Sequence, residues 1–423
     1  MPTNSTNWQN DLVRTTRSSS KFDRPILQPA ILRRKRKAES EIMIIPSPST
    51  SLEYSPPSSL YAPSAIESPS SDVDIDVTGD ENKSPELKIL SSPFKSFRGL
   101  ADMMGSHTYT CRRLNPLPEL DWAEQQDLWH SMVVKDMVYT RDPKMLQKHP
   151  DLEPRMRAIL LDWLTEVCEV YRMHRETFYL AVDYVDRYLI AKPNLPRGCL
   201  QLLGTTALFV ASKMEEIYPP KLEQFAFVTD GACNESQILQ QELLLVMTLN
   251  WNLTPISIIC WLGIFLQLAH YEEGENLMGP EKCPRSSFVE ITRVLDLCIL
   301  DTESLKFSYS VIAASAIAHF ISKDKAIHVS GLSWAELIPC VTWMKPFVEV
   351  VYDNGPVDVK HFNDIPSEDC HNIQVHSASL RLLDIVQEKQ QAALNECSPS
   401  TVLRELTPPH SQKKKRYSRI MHD

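Results

Sequence analysis

Glycine is scarce in this chain, 11 of 423 residues, and no G-x-x-x-x-G-K or G-x-G-x-x-G loop can be assembled from it to cradle a phosphate. H-E-x-x-H and G-x-S-x-G are equally absent. His174-Arg175-Glu176 has two letters of a kinase catalytic triplet, but the aspartate is missing and no D-F-G accompanies it, so it reads as a helix start. These absences leave no catalytic constellation, and the chain reads as a non-enzyme without a cofactor. The ten cysteines, Cys111, Cys168, Cys199, Cys233, Cys260, Cys283, Cys298, Cys340, Cys370 and Cys397, form no C-x-x-C pair, which excludes a zinc ribbon. Most fall inside apolar helical patterns and read as reduced core thiols of a cytosolic or nuclear protein. Positive charge is in deficit, 44 basic against 54 acidic residues, so attraction to nucleic acid or anionic lipid is disfavoured. The most apolar run, Ile256 to Leu266, falls short of the ~18 residues that span a bilayer, and no basic-then-apolar leader opens the sequence. A soluble protein without membrane or nucleic-acid partners is expected.

Proline is not scarce, 30 residues, and its distribution divides the chain. Residues 1–118 show no sustained helical or strand period, and serine with proline supplies half of the stretch from Ser40 to Asp72. Such a segment cannot bury enough apolar surface to offset its ordering entropy and is expected to be disordered. It holds Arg33-Arg34-Lys35-Arg36-Lys37, five consecutive cations in an acidic protein, which reads as a nuclear-import cluster or, more plainly, as a solvated charge run. Ser-Pro pairs at Ser47, Ser55, Ser68, Ser84 and Ser92 suit proline-directed phosphorylation.

Between about Leu120 and Leu394 the pattern becomes helical. Met156, Ile159, Leu160, Trp163, Leu164, Val167, Cys168 and Tyr171 keep the i, i+3, i+4 spacing of a two-lane apolar stripe. Further helices are predicted at Arg175 to Ala191, Arg197 to Glu216, Lys221 to Val228 and Asn234 to Leu249, the last opened by Asn234 with Gln237 as a reciprocal cap. The pattern then runs again: Thr254-Pro255 as cap and first turn of a helix to His270, then Arg285 to Leu300, Ser308 to Ser322 and Ser333 to Val351. Gly204-Thr205-Thr206-Ala207 and Ala313-Ala314-Ser315-Ala316 occupy comparable places in the two halves, and such small residues let a central helix be approached closely. One more helix is expected near Ser367 to Leu394, docking back on the rest.

Met156-Arg157-Ala158-Ile159-Leu160 followed by Leu161-Asp162-Trp163-Leu164 resembles the signature helix of the cyclin box. Glu176-Thr177, Tyr184-Val185-Asp186-Arg187-Tyr188-Leu189, Ala211-Ser212-Lys213-Met214-Glu215-Glu216-Ile217-Tyr218-Pro219-Pro220 and Glu242 follow in the family's order. Glu166 to Tyr171, His174 to Leu180 and Val228 to Cys233 are similar to the E-type members. The resemblance implies an all-α fold of two tandem five-helix cyclin-box domains with disordered N- and C-terminal tails. Its divisions fall at 1–118, a regulatory segment; 119–253, the N-terminal box with a preceding helix; 254–366, the C-terminal box; 367–395, a C-terminal helix; and 396–423, a tail.

It also implies a function: a regulatory subunit that activates a cyclin-dependent serine/threonine kinase at the G1/S transition, and the cluster Arg33 to Lys37 adds an expected nuclear localisation. Lys213 and Glu242 would face the kinase's αC helix, and Arg157 with Asp186 would be a charged pair holding the box together. Met156, Ile159, Leu160 and Trp163, core residues on spacing alone, would instead line with Gln201 a shallow groove for Arg-x-Leu motifs of substrates and inhibitors. Asp162 and Glu166, spaced i and i+4, would form its acidic edge and Arg197 its rim. In the tail, Leu406-Thr407-Pro408-Pro409-His410-Ser411 resembles a phosphodegron read by an F-box ubiquitin ligase through Thr407 and Ser411, against the plainer reading of a chance Thr-Pro-Pro. The same fold serves DNA-gripping transcription factors, but those resemble boxes with a zinc ribbon and a basic face, both missing here.

Overall fold

A computed structural model describes residues 113–397 apart from 140 and 357. The basic cluster Arg33–Lys37, the Ser-Pro pairs, and Thr407 and Ser411 lie outside the described residues. Those described are helical, joined by four short 3₁₀ turns, with one isolated antiparallel bridge between His174 and Ile373. No helix among them is long and apolar enough to cross a membrane.

After a leading helix α1 (Gln125–Val138), five helices form the first domain: α2 (Pro154–Tyr171), α3 (Arg175–Ala191), α4 (Leu200–Glu215), α5 (Leu222–Val228) and α6 (Glu235–Thr248). α2 starts with proline in its first turn and stops where Arg172 turns left-handed, φ 54°, letting the Met173 N–H reach back to Cys168 O at 2.9 Å. The Asn234–Gln237 reciprocal cap opens α6 as the sequence predicts. α4 is the central helix, packed on α2, α3, α5 and α6, with Gly204 to Ala207 buried. A Cβ at Gly204 would stand 2.6 Å from Leu160 Cδ1, so the small residue is what lets α2 approach.

Five more helices make the second domain: α7 (Ile258–Ala269), α8 (Arg285–Leu300), α9 (Tyr309–Phe320), α10 (Lys323–Ser330) and α11 (Trp334–Asp353). α9 takes the central place, touching α7, α8, α10 and α11 through its buried Ala313, Ala314, Ser315 and Ala316. The final helix α12 (Ser379–Cys397) returns to pack on α2, α8 and α11.

The structure corrects several expectations. α7 begins at Ile258, capped by Ser257, whose hydroxyl accepts from Cys260 N, so Thr254-Pro255 lies in the extended inter-domain link. α10 has no counterpart in the sequence reading: it is a two-turn helix with only Ala326, Val329 and Ser330 buried, too short to display a stripe, and Ser322 caps it. The last helix starts at Ser379, not Ser367, because the backbone of 373–376 pairs with the α2–α3 turn and with Glu169 instead of with itself. Residues 113–118, expected to be disordered, are packed. Arg113 lies over Trp129 and Trp261, 5.1 and 5.2 Å from the ring centroids, and Leu114 N donates to Gly331 O. Gly331, φ +64°, would bring any Cβ to 1.9 Å from Leu114 O. A docking of this kind leaves no periodicity to read. The thiols divide too: Cys168, Cys233, Cys298, Cys340 and Cys370 are buried, whereas Cys199 and Cys260 are exposed and Cys283 is half-buried.

Arg157 joins the two domains. Its guanidinium, 1% exposed, donates from Nε and Nη2 to the two oxygens of Asp186 at 2.7 Å each and from Nη1 to Ile299 O at 2.9 Å at the end of α8. Truncating one partner of such a buried pair leaves the other charge uncompensated, at about 3–5 kcal/mol. Arg157→Ala is therefore expected to lose about that much stability in urea unfolding.

Candidate functional site

Two surfaces carry the residues singled out by sequence. On the first, Lys213 near the end of α4 and Glu242 on α6 form an ion pair with each other, and the Lys213 ammonium sits 4.1 Å from the centroid of the Phe209 ring. Both remain partly open to solvent. Around them Ile217 and Tyr218, just beyond α4, and Leu239, Leu243 and Met247 along α6 are exposed. Sequence reasoning did not single out these apolar residues. Their signal is Leu243-Leu244-Leu245-Val246-Met247, a helix apolar on every side although only Ile238, Leu245 and Val246 are buried. An apolar patch rimmed by polar groups marks a surface for a protein partner.

The second surface lies along α2. Met156, Ile159, Trp163 and Glu166 fall on one side of the helix and are half-buried, as is Gln201 at the start of α4; Arg197 is exposed in the preceding 3₁₀ turn. Two expected members are elsewhere. Leu160 is 5% exposed and packs against Gly204 inside the domain, one lane away from the groove. Asp162 is 8% exposed and turned toward the C-terminal segment, where its Oδ2 accepts from His376 Nε2 at 3.1 Å, so it does not present an open acidic edge.

Sequence reasoning expected a helix in that C-terminal segment to dock back on the rest but gave the segment no site residue, yet it ties to α2 and its end repeatedly. Lys360 pairs with Glu169, Asp364 with Arg172, and Asp384 with Arg155. Behind them Arg175 donates to Asp296, to His371 O and to Gln374, so α3, α8 and the segment share one buried polar network. Among the described residues no group of histidine, cysteine and carboxylate side chains could hold a metal ion.

Two titratable groups stand at the start of α3. The His174 imidazole is raised by its hydrogen bond to Glu216, whose carboxylate also accepts from His174 N and from the Thr177 hydroxyl. Burial raises Glu176 from 4.5 to about 7, although the Ser257 hydroxyl donates to it.

The models of the cyclin N-terminal domain and the cyclin C-terminal domain match residues 127–254 and 257–379. G1/S-specific cyclin-E1 of Rattus norvegicus is 50% identical over 307 residues, covering 71% of this chain and 74% of its own. The chain belongs to the cyclin family. This cyclin is also 49% identical over 304 residues to G1/S-specific cyclin-E1 of Gallus gallus, covering 71% of the chain and 74% of that relative, and 49% identical over 307 residues to G1/S-specific cyclin-E of Hemicentrotus pulcherrimus, covering 71% and 72%. Its two domains and these relatives make it a regulatory subunit for a cyclin-dependent kinase at the G1/S transition.

Glu176 gives the domain junction a pH signature. Folded chains hold its proton up to about pH 7 while unfolded chains release it near 4.5, so the folded state binds the extra proton between those values and stability falls as pH rises through them. The loss amounts to about 3 kcal/mol. Glu176→Gln should flatten that part of the curve in urea unfolding measured from pH 4.5 to 8, leaving the His174 contribution, which also fades with rising pH, in place in both proteins.

Proposed function

We propose that this cyclin activates its kinase by presenting the Lys213–Glu242 face to the kinase's αC helix. The observation that carries the reading is a charged pair set among exposed apolar side chains on two helices held rigidly side by side. The apolar residues supply the desolvated centre of an interface, and Lys213 and Glu242 exchange their mutual bond for backbone or side-chain partners on the kinase. Held inward, the αC helix completes the lysine–glutamate pair that orients ATP phosphates, and the activation loop opens. The cyclin contributes no group to the chemistry. Its effect is differential binding, and moving the kinase from 1:99 to 99:1 in favour of the active form takes about 5.5 kcal/mol of preference.

The α2 surface serves recruitment in this reading. Met156, Ile159, Trp163 and Gln201 would seat the leucine of an Arg-x-Leu segment of a substrate or inhibitor, with Glu166 and Arg197 at the rim. Turnover would follow phosphorylation of Thr407 and Ser411 and capture by an F-box ubiquitin ligase, and Arg33–Lys37 would direct the chain to the nucleus; those residues lie outside the described part.

Mixed with a monomeric cyclin-dependent kinase, the chain should stimulate histone phosphorylation, and the Lys213→Ala/Glu242→Ala double variant should lose most of that stimulation at equal concentration. Equal stimulation by both would move the interface elsewhere. For turnover, Thr407→Ala should lengthen the half-life of the protein in dividing cells, and an unchanged half-life removes the degron.

A further inference from the structure

The Asp162 carboxylate is the least satisfied acid near the docking groove. Its Oδ2 accepts the single bond from His376, while its Oδ1 is buried and accepts none. Burying a carboxylate oxygen without a donor is costly, and the usual remedy is a cation that can reach both oxygens. Nothing along α2 supplies one: the Arg157 fork is turned inward onto Asp186, and Arg155 is held by Asp384. Glu166, one turn on from Asp162, lies on the groove side of the same helix.

His376 reaches Asp162 from outside the box. It stands in the short stretch between Gln374, whose N–H donates to Met173 O, and the start of α12 at Ser379. Its own N–H donates to Glu169 Oε2 at 2.6 Å, and the Lys360 ammonium holds the other Glu169 oxygen. The backbone is thereby anchored on both sides, so the imidazole can leave Asp162 by rotation about its side-chain bonds while the segment stays in place.

We propose that His376 is a resident plug in a guanidinium-binding notch, occupying Asp162 until the arginine of an Arg-x-Leu segment displaces it. This rests on the docking reading given above and names what regulates access to that site. The chemistry favours the exchange. An imidazole offers Asp162 one donor, whereas a guanidinium offers a planar fork that satisfies Oδ1 and Oδ2 together and lies close enough to Glu166 to feel its charge. The plug keeps Asp162 from standing open in the free protein and sets a threshold that selects arginine, with its fork, over lysine.

The test uses the full-length chain and a fluorescein-labelled decapeptide carrying one Arg-x-Leu motif, with affinity read by fluorescence anisotropy. Removing one hydrogen-bonding competitor should tighten binding about 3- to 10-fold in His376→Ala. His376→Gln, which keeps a donor facing Asp162, should bind like the unaltered chain and guards against a general disturbance of the segment. A peptide with lysine in place of arginine should gain less from His376→Ala. Trp163→Ala separates the two readings. If Trp163→Ala loses binding while His376→Ala binds no more tightly than the unaltered chain, the plug is refuted and the groove stands. If Trp163→Ala binds as before, the docking reading itself falls, and the plug with it.

Discussion

Arg157 reaches two other helices from one buried position on α2: Asp186 of α3 through two 2.7 Å bonds, and the carbonyls at the end of α8 through Nη1. A planar guanidinium is the side chain suited to this, because its donors leave in a fixed fork and it does not deprotonate at the cost of burial. The two domains are thus oriented through a charge that neither domain could leave unpaired. Tyr184 and Tyr309 add to the junction, the first donating to Leu253 O in the link and the second to Asp183 across the domains. The same guanidinium fixes α2 against α3, and α3 in turn packs on α4 and α6, so the helices that carry both surfaces share one frame.

The two surfaces use opposite solutions to exposure. On the α4–α6 face, apolar side chains stand in water with an ion pair between them, an arrangement that gains when a partner covers it. On α2 the half-buried groove is bordered by a C-terminal segment tied down by ion pairs to Glu169, Arg172 and Arg155. Each of those pairs is partly exposed and individually weak, but together they position His376. A segment at the C-terminal limit of the second domain therefore shapes the chemistry at the edge of the first.

The helices with long apolar stripes were legible. Arg175 to Ala191 and Arg285 to Leu300 have the bounds that their periodicity predicts, and the small-residue runs in α4 and α9 mark the central helices. α10 was not legible, because two turns with little buried apolar surface carry too few positions to show a period. Residues 113–118 were not legible either, since what holds them is Arg113 between two tryptophans and one backbone bond to Gly331, contacts with partners about 16 to 220 residues away in the sequence.

The site shows the same division. Spacing placed Met156, Ile159, Trp163 and Glu166 on one side of a helix, and resemblance gave them a role, but spacing could not tell that Leu160 belongs to the packing under Gly204 or that Asp162 turns toward His376. By itself the sequence determined the helices with long stripes, the Asn234 cap, the small residues at the helix crossings and the family, because those depend on residues close in the chain or on matched motifs. Which acids are open, which apolar residues stay in water, and which residue closes the edge of the groove were decided only in three dimensions. Burial is a property of what a side chain meets from the rest of the molecule, and for Asp162 that neighbour lies 214 residues away.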